Sequence, residues 1–150
     1  MNKFSEKQQR RLQPVSGVNG IAPPTHKVCA KQAEINISNL RLRTFVGFNP
    51  EEKAKQQDVV INASIHYQTQ PGIYQDRVED ALNYKTITKK IISTVENGRF
   101  LLLEKLVGDV LDICAEPAEV TKARVTVDKP HALRFADSVS LTMEYNNNDA

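Results

Sequence analysis

Six polar residues of the kinds that transfer protons lie where the predicted strands and helices end. They are Glu51, Glu52, Tyr84, Glu104, Lys129 and His131. Carboxylates, phenols, ammonium groups and imidazoles act as general acids and bases, and loops on a rigid scaffold commonly carry such groups. Taken singly, each residue is equally well explained as a solvated charge, a hydrogen-bonded aromatic or a first-turn helix carboxylate. Whether they form one functional site therefore depends on the strands and helices that position them.

The spacing of metal-binding residue types argues against a metal centre. His26, His66 and His131 are far apart in the sequence, which has no His-Glu-x-x-His motif and no Gly-rich phosphate loop. Cys29 and Cys114 are too few for a disulfide framework or a metal-binding Cys cluster. We therefore expect no metal, and a cytoplasmic protein with free thiols.

Length and composition indicate one globular unit. The chain has 150 residues, of which 40% are hydrophobic and 25% are charged, and both fractions are ordinary for a globular domain. No apolar run approaches the roughly 18 residues that a membrane span needs. We expect a single soluble domain without a membrane partner.

The first 34 residues differ from the rest in charge and pattern. They hold six Lys or Arg against two acids, whereas residues 35–150 hold 14 against 16. The segment has no apolar periodicity, so burial cannot offset the entropy of ordering it. We predict a disordered basic tail over 1–34, a folded domain over 35–146 and a short tail over 147–150. The basic charge is too sparse, and too poor in interleaved aromatic residues, to predict a nucleic-acid partner.

Four segments of the folded domain have the pattern of strands. Apolar and polar residues alternate in residues 35–46, 58–67, 120–128 and 138–145. The phase of the first segment changes near Asn39, which indicates a bulge. Residues 47–57, between the first two strands, are predicted to form a polar loop.

Two amphipathic helices are predicted between the second and third strands. Thr86 is expected to cap the first helix and Gly98 to end it, and the second helix carries its apolar stripe from Leu103 to Cys114. An antiparallel sheet with both helices on one face buries every apolar stripe, so the predicted class is α+β with the order ββααββ. The uncovered edges of this four-stranded sheet predict a homo-oligomer.

Several stretches of the chain, taken in order, resemble the dihydroneopterin aldolase family. They are Leu40–Gly47, Glu52, Ala81–Tyr84, Val95–Phe100, Leu103–Leu106 and Asp128–Val139. The resemblance implies the tunnelling fold, in which four-stranded sheets of several subunits join edge to edge into a barrel. It further implies a homo-octamer of two stacked tetramers, with pterin pockets between neighbouring subunits and no cofactor.

The resemblance also assigns roles to the candidate residues. It implies pterin binding by Glu104, Leu103 and Asn83, and catalysis by Lys129, Tyr84 and Glu52. A carboxylate can accept two parallel N–H bonds from the aminopyrimidinone edge of a pterin. The C=N bond at position 5 of a dihydropterin can accept the electrons released when C1′–C2′ of its side chain breaks. Tyr84 and Lys129 are the expected proton-transfer pair, and which residue acts as the base is open.

Two branches of the family share this chemistry and differ in the fate of the cleaved aldehyde. An epimerase returns the aldehyde through its other face and inverts C2′ of 7,8-dihydroneopterin triphosphate, whereas an aldolase releases glycolaldehyde and 6-hydroxymethyl-7,8-dihydropterin. Residues 83–86 and 131–137 resemble the epimerase branch, and the aldolase is the alternative.

A triphosphate needs cationic donors, for which the candidates are Arg43, Arg134 and His131. A non-catalytic scaffold or binding module with the same fold is the remaining alternative.

Overall fold

The structure, a computed structural model, describes residues 31–149. Its main elements are β1 (Gln32–Val46), α1 (Pro50–Ala54), β2 (Gln57–Gln68), α2 (Tyr84–Glu96), β3 (Arg99–Phe100), α3 (Leu103–Ala115), β4 (Val120–Pro130) and β5 (Ser138–Asn146). Short 3-10 turns occur at Pro71–Gln75, Val78–Asp80 and Asn147–Asp149. The strands form one sheet in the order β3-β1-β2-β4-β5. All neighbours are antiparallel except β3, which is parallel to β1.

The α+β class is confirmed, and three details of the prediction are wrong. The sheet has five strands because Arg99–Phe100 pairs with the end of β1, and a strand of this length has no alternation to detect. The segment 47–57 is not all loop: Asn49 precedes a proline at the first helical position and Glu52 follows three residues later, a sequence that starts a helix. Finally, β1 begins at Gln32 rather than Ile35. Residues 1–30 of the predicted tail lie outside the described residues.

The predicted bulge in β1 is confirmed at Asn39. The register with β2 shifts between Ile37 and Leu40, and Asn39 has a φ of 53°, a left-handed conformation that Asn tolerates better than most residues. Its N–H donates to Oδ1 of Asn62 at 2.9 Å. The bulge therefore keeps apolar residues on the helix-facing side both before and after the phase change.

The hydrophobic core lies between one face of the sheet and the two long helices. Its fully buried members include Val59, Ile61, Ile65, Ile91, Val95, Leu106, Val107, Val110, Val125 and Val127. Burial of each such side chain contributes about 1.5–3 kcal/mol. Met143, on the apolar side of the alternation in β5, is exposed, because β5 is an edge strand that the helices cover only in part. The core therefore fixes the central strands more firmly than the β5 edge.

Candidate active site

A partly buried ion pair joins Lys129 to Glu52 at one end of the sheet. Lys129 continues the buried alternation of Val125 and Val127 on the helix-facing side of β4 and is only 9% exposed. Its Nζ donates to Oε2 of Glu52, which lies in α1, at 2.7 Å. Burying an unpaired ammonium would be costly. Glu52 therefore allows a charged lysine to stand where the alternation would otherwise place an apolar side chain.

Two further groups hold the Glu52 carboxylate. The Asn49 N–H donates to Oε1 at 3.4 Å, and Nε2 of Gln57 donates to Oε2 at 3.4 Å and to the Val46 carbonyl at 2.6 Å. The hydrogen bond from Lys129 is the main reason that the pKa of Glu52 is below its usual value, with burial acting in the opposite direction. The carboxylate is therefore held ionised as well as fixed in position.

Gly47 leaves the space that the Glu52 carboxylate occupies. Its φ is 132°, and a Cβ at this position would overlap the carboxyl group of Glu52. Gly47, Asn49 and Gln57 were not predicted from the sequence as supports of the site. The available signals were the lone glycine at the end of β1 and the helix-start pattern that follows it.

Leu103 and Glu104 lie at the same end of the sheet. The Gly47 N–H donates to the Phe100 carbonyl at 2.9 Å, which ties the end of β1 to the segment that leads into α3. Leu103 is half-buried and Glu104 is exposed in the first turn of α3. The structure therefore gathers Glu52, Lys129 and the two residues that start α3 at one end of the molecule.

Asn83 and Tyr84 lie at the opposite end. The carbonyl of Gly98, which follows α2, accepts a hydrogen bond from Oγ1 of Thr44 at 3.3 Å, so α2 ends near the Lys129 side. Its 13 residues place Tyr84 about 18 Å further along the helix axis. Tyr84 is half-exposed. One chain therefore does not bring the expected pair Tyr84 and Lys129 together.

The cap of α2 was predicted at the wrong residue. Oδ1 of Asn83 accepts from the Thr86 N–H at 3.1 Å, and α2 begins at Tyr84. Thr86 is thus inside the first turn and receives the cap instead of providing it. Tyr84 is the first residue of α2, and both Tyr84 and the Asn83 cap are exposed.

The three candidate triphosphate ligands occupy different surroundings. Arg43 lies on the exposed face of β1, opposite to the face of Lys129, and its guanidinium donates to Oδ1 of Asp58 at 2.7 Å and to the Gln56 carbonyl at 3.1 Å. His131 and Arg134 lie in the exposed turn between β4 and β5. Arg43 therefore differs from the other two in having a carboxylate partner, although it lines a pocket with Pro130, the residue before His131.

The geometry at the Lys129 end suits proton transfer on a polar substrate. An ammonium and a carboxylate share one hydrogen bond, and a second carboxylate, Glu104, is exposed in the first turn of α3. In residues 31–149 no group of three or more His, Cys, Asp or Glu side chains is placed to hold a metal ion. None of the helices in this part of the chain is long and apolar enough to cross a membrane.

The sequence profile of FolB, dihydroneopterin aldolase, matches residues 35–144. The chain belongs to the dihydroneopterin aldolase family. It is 56% identical over 113 residues to a dihydroneopterin triphosphate 2′-epimerase of Escherichia coli, covering 75% of this chain and 94% of that protein. A Pseudomonas aeruginosa enzyme of the same name is 50% identical over 111 residues, with coverage of 74% and 90%.

The family membership agrees with the fold. The crystal structure of Escherichia coli dihydroneopterin aldolase in complex with neopterin superposes with a TM-score of 0.70 at 24% identity and covers 76% of this chain and 99% of that one. The protein accordingly has the tunnelling fold of dihydroneopterin aldolases. All the candidate site residues fall within the part of the chain that matches the family.

Proposed function

We propose that this protein is an epimerase that inverts C2′ of 7,8-dihydroneopterin triphosphate to give dihydromonapterin triphosphate. The observation that carries the proposal is the difference in identity within the family. The chain is 56% identical to the Escherichia coli epimerase over nearly that protein's whole length, against 27% to the Escherichia coli dihydroneopterin aldolase. The substrate is accordingly a pterin with a phosphorylated side chain.

The proposed reaction is a retro-aldol cleavage followed by re-addition. A base removes the proton of the 2′-hydroxyl, C2′ becomes an aldehyde, and the C1′–C2′ bond breaks. The electrons of that bond move into the dihydropterin, whose N5 takes up a proton. Rotation of the aldehyde and attack of C1′ on its other face then reverse each step with C2′ inverted. The reaction is redox-neutral and needs no cofactor.

Lys129 and Glu52 suit the side chain of this substrate. An ammonium held by a carboxylate can donate hydrogen bonds to the 2′-oxygen while negative charge develops there. Glu52 can accept a proton through an ordered water, and Glu104 at the start of α3 suits the paired N–H donors of the pterin ring. Leu103 would hold the same ring through its backbone. The proton transfer would be completed by Tyr84 of a second copy of the chain, with Asn83 of that copy beside it.

We propose a homo-octamer of two stacked four-subunit rings, with each site shared by neighbours. Two observations support sharing: the candidate residues are split between opposite ends of one chain, and each end exposes apolar side chains. Phe48 is 66% exposed at the Lys129 end, and Val78 is 82% exposed near Tyr84. A contact between two unlike ends of identical chains is heterologous, and repetition of such a contact forms a ring when the rotation between subunits closes.

A cytoplasmic location is part of the proposal. Cys114 is a free, buried thiol, as in proteins of reducing compartments. Fractionation of the native host would test it, with recovery among cytoplasmic proteins as the expected result. Recovery among secreted proteins would contradict it.

The test of function is a comparison of two substrates. The protein is incubated with 7,8-dihydroneopterin and with its triphosphate, and chromatography separates the epimer from released glycolaldehyde. We expect epimer from the triphosphate as the main product. Glycolaldehyde as the main product would instead indicate the aldolase, and turnover of neither substrate would indicate a scaffold or binding module.

Two variants connect this test to the site. Lys129→Ala should lower kcat by roughly 10²–10⁴-fold while KM changes little, because the residue acts in proton transfer. Glu104→Ala should instead raise KM, by roughly 10- to 100-fold, because a charged hydrogen-bonding anchor is lost. The reverse pattern would show that the two roles are wrongly assigned.

A further inference from the structure

The turn from His131 to Asp137 carries basic side chains and begins two residues after the buried lysine. His131 has a left-handed backbone with a φ of 63°, and its N–H donates to the Asp137 carbonyl at 3.1 Å, which closes the turn. His131 follows Lys129 by two residues, so their Cα atoms are at most about 7 Å apart. The turn is therefore within reach of a group that extends from a substrate bound at Lys129.

The two basic side chains of this turn are available to an anion. In the described part of the chain, no carboxylate pairs with His131 or Arg134. The Arg134 guanidinium lies over the Phe135 ring at 5.4 Å, a contact that orients a cation without neutralising it. Phe135 itself is 93% exposed. Arg134 therefore keeps its hydrogen-bond donors for a ligand.

Arg43 is in the opposite situation. Its charge is balanced by Asp58 at 2.7 Å, and one of its nitrogens is used by the Gln56 carbonyl. It also lies on the face of the sheet away from Lys129, in a pocket that it shares with Asp58 and Pro130. An anion bound there would in addition approach the Asp58 carboxylate.

We infer that the His131–Asp137 turn is the triphosphate subsite, with Arg134 and His131 as its donors, and that Arg43 takes no part. This inference rests on the proposed epimerase function and names the part of the site that selects a phosphorylated substrate. A planar guanidinium pairs with phosphate through two parallel hydrogen bonds, and imidazole supplies a further N–H. Neutral dihydroneopterin gains nothing from either group. The turn would therefore determine specificity without taking part in bond cleavage.

The test compares Arg134→Ala and His131→Asn with two control variants. Asn is chosen at 131 because it tolerates a left-handed backbone. Each turn variant should lower the ratio of kcat/KM for the triphosphate to that for dihydroneopterin by roughly tenfold, as expected for loss of one charged hydrogen bond. Arg43→Ala and Arg124→Ala, both at exposed arginines paired with acids, should keep the wild-type ratio. Thermal melting verifies that all four variants are folded.

Inorganic tripolyphosphate provides a readout that does not depend on turnover. Calorimetry should show binding to the wild type and to both controls, and at least tenfold weaker binding to each turn variant. The inference is overturned if Arg43→Ala lowers the ratio or the binding while both turn variants leave them unchanged. If neither pterin is turned over but tripolyphosphate binding still depends on Arg134 and His131, the proposed function fails and the anion subsite stands.

Discussion

Removal of the Lys129 ammonium should destabilise the fold, because Glu52 would lose its strongest partner. The two charged groups are 2.7 Å apart, and their side chains keep only 11% and 23% of their surface exposed. Loss of one member of a fully buried pair costs about 3–5 kcal/mol. Glu52 keeps its hydrogen bonds from Gln57 and Asn49 and some contact with water. We therefore expect Lys129→Met to lower the free energy of unfolding by about 2–3 kcal/mol.

A double-mutant cycle separates the pair from its surroundings. Glu52→Gln removes the second charge, and the double variant should be less destabilised than the two single variants added together. We expect a coupling free energy of about 1–2 kcal/mol. Urea unfolding followed by circular dichroism at pH 7 measures it. The protein concentration must be the same for all four proteins, because an oligomer gains stability with concentration.

The pH dependence of this coupling has a definite sign. Because the pKa of Glu52 is lowered in the folded state from its ordinary value of 4.5, the stabilisation is complete above that pH and is lost as the pH falls through the folded-state pKa. The coupling should therefore disappear in acid. Additive single variants at pH 7, or a coupling that stays the same after Glu52 is protonated, would refute the reasoning.

Three further predictions concern the support of the site and the core. Gly47→Ala should cost about 1–3 kcal/mol and lower kcat, since the added Cβ displaces the Glu52 carboxylate; wild-type stability in urea would contradict this. Ile91→Ala, at a fully buried position, should cost about 2–5 kcal/mol, and a loss below 1 kcal/mol would indicate that the core collapses around the cavity. Burial raises the pKa of Cys114 to about 12, so in a Cys29→Ser background a thiol reagent at pH 8 should react only after unfolding. Fast labelling of the native protein would show that the thiol is accessible.

Local pattern was sufficient to predict the long elements of the fold. Alternation located all four long strands, because each buries one face against helices. The phase change at Asn39 revealed the bulge for the same reason: a one-residue insertion reverses which side chains face the core. The apolar stripe of α3 was equally clear. These features depend on neighbours two to four residues apart, which a sequence displays directly.

Features that depend on short or polar elements were not predictable in the same way. The stripe of α2 begins at Ile87, so periodicity could not show that Asn83 is the cap. The pairing of β3 depends on Phe45 and Val46, which are more than fifty residues earlier in the chain. Residue type alone makes any arginine a candidate phosphate ligand, because a sequence does not show which arginines are already paired with acids. Only the fold shows that Asp58 pairs with Arg43.

The candidate site was predictable as a set of residues and not as an arrangement. The resemblance selected Glu52, Glu104 and Lys129, which lie at one end of the folded molecule. It could not show that Gln57 and Gly47 hold Glu52, because these contacts depend on how α1 folds back over the end of β1.

The most direct test of the account mixes two inactive variants, Lys129→Ala and Tyr84→Ala, and measures epimerisation of dihydroneopterin triphosphate. If each site takes Lys129 from one chain and Tyr84 from the next, random reassembly of equal amounts makes about one site in four fully intact. Activity should then return to roughly a quarter of the wild-type value. A refolded mixture no more active than its two components would contradict a site shared between subunits.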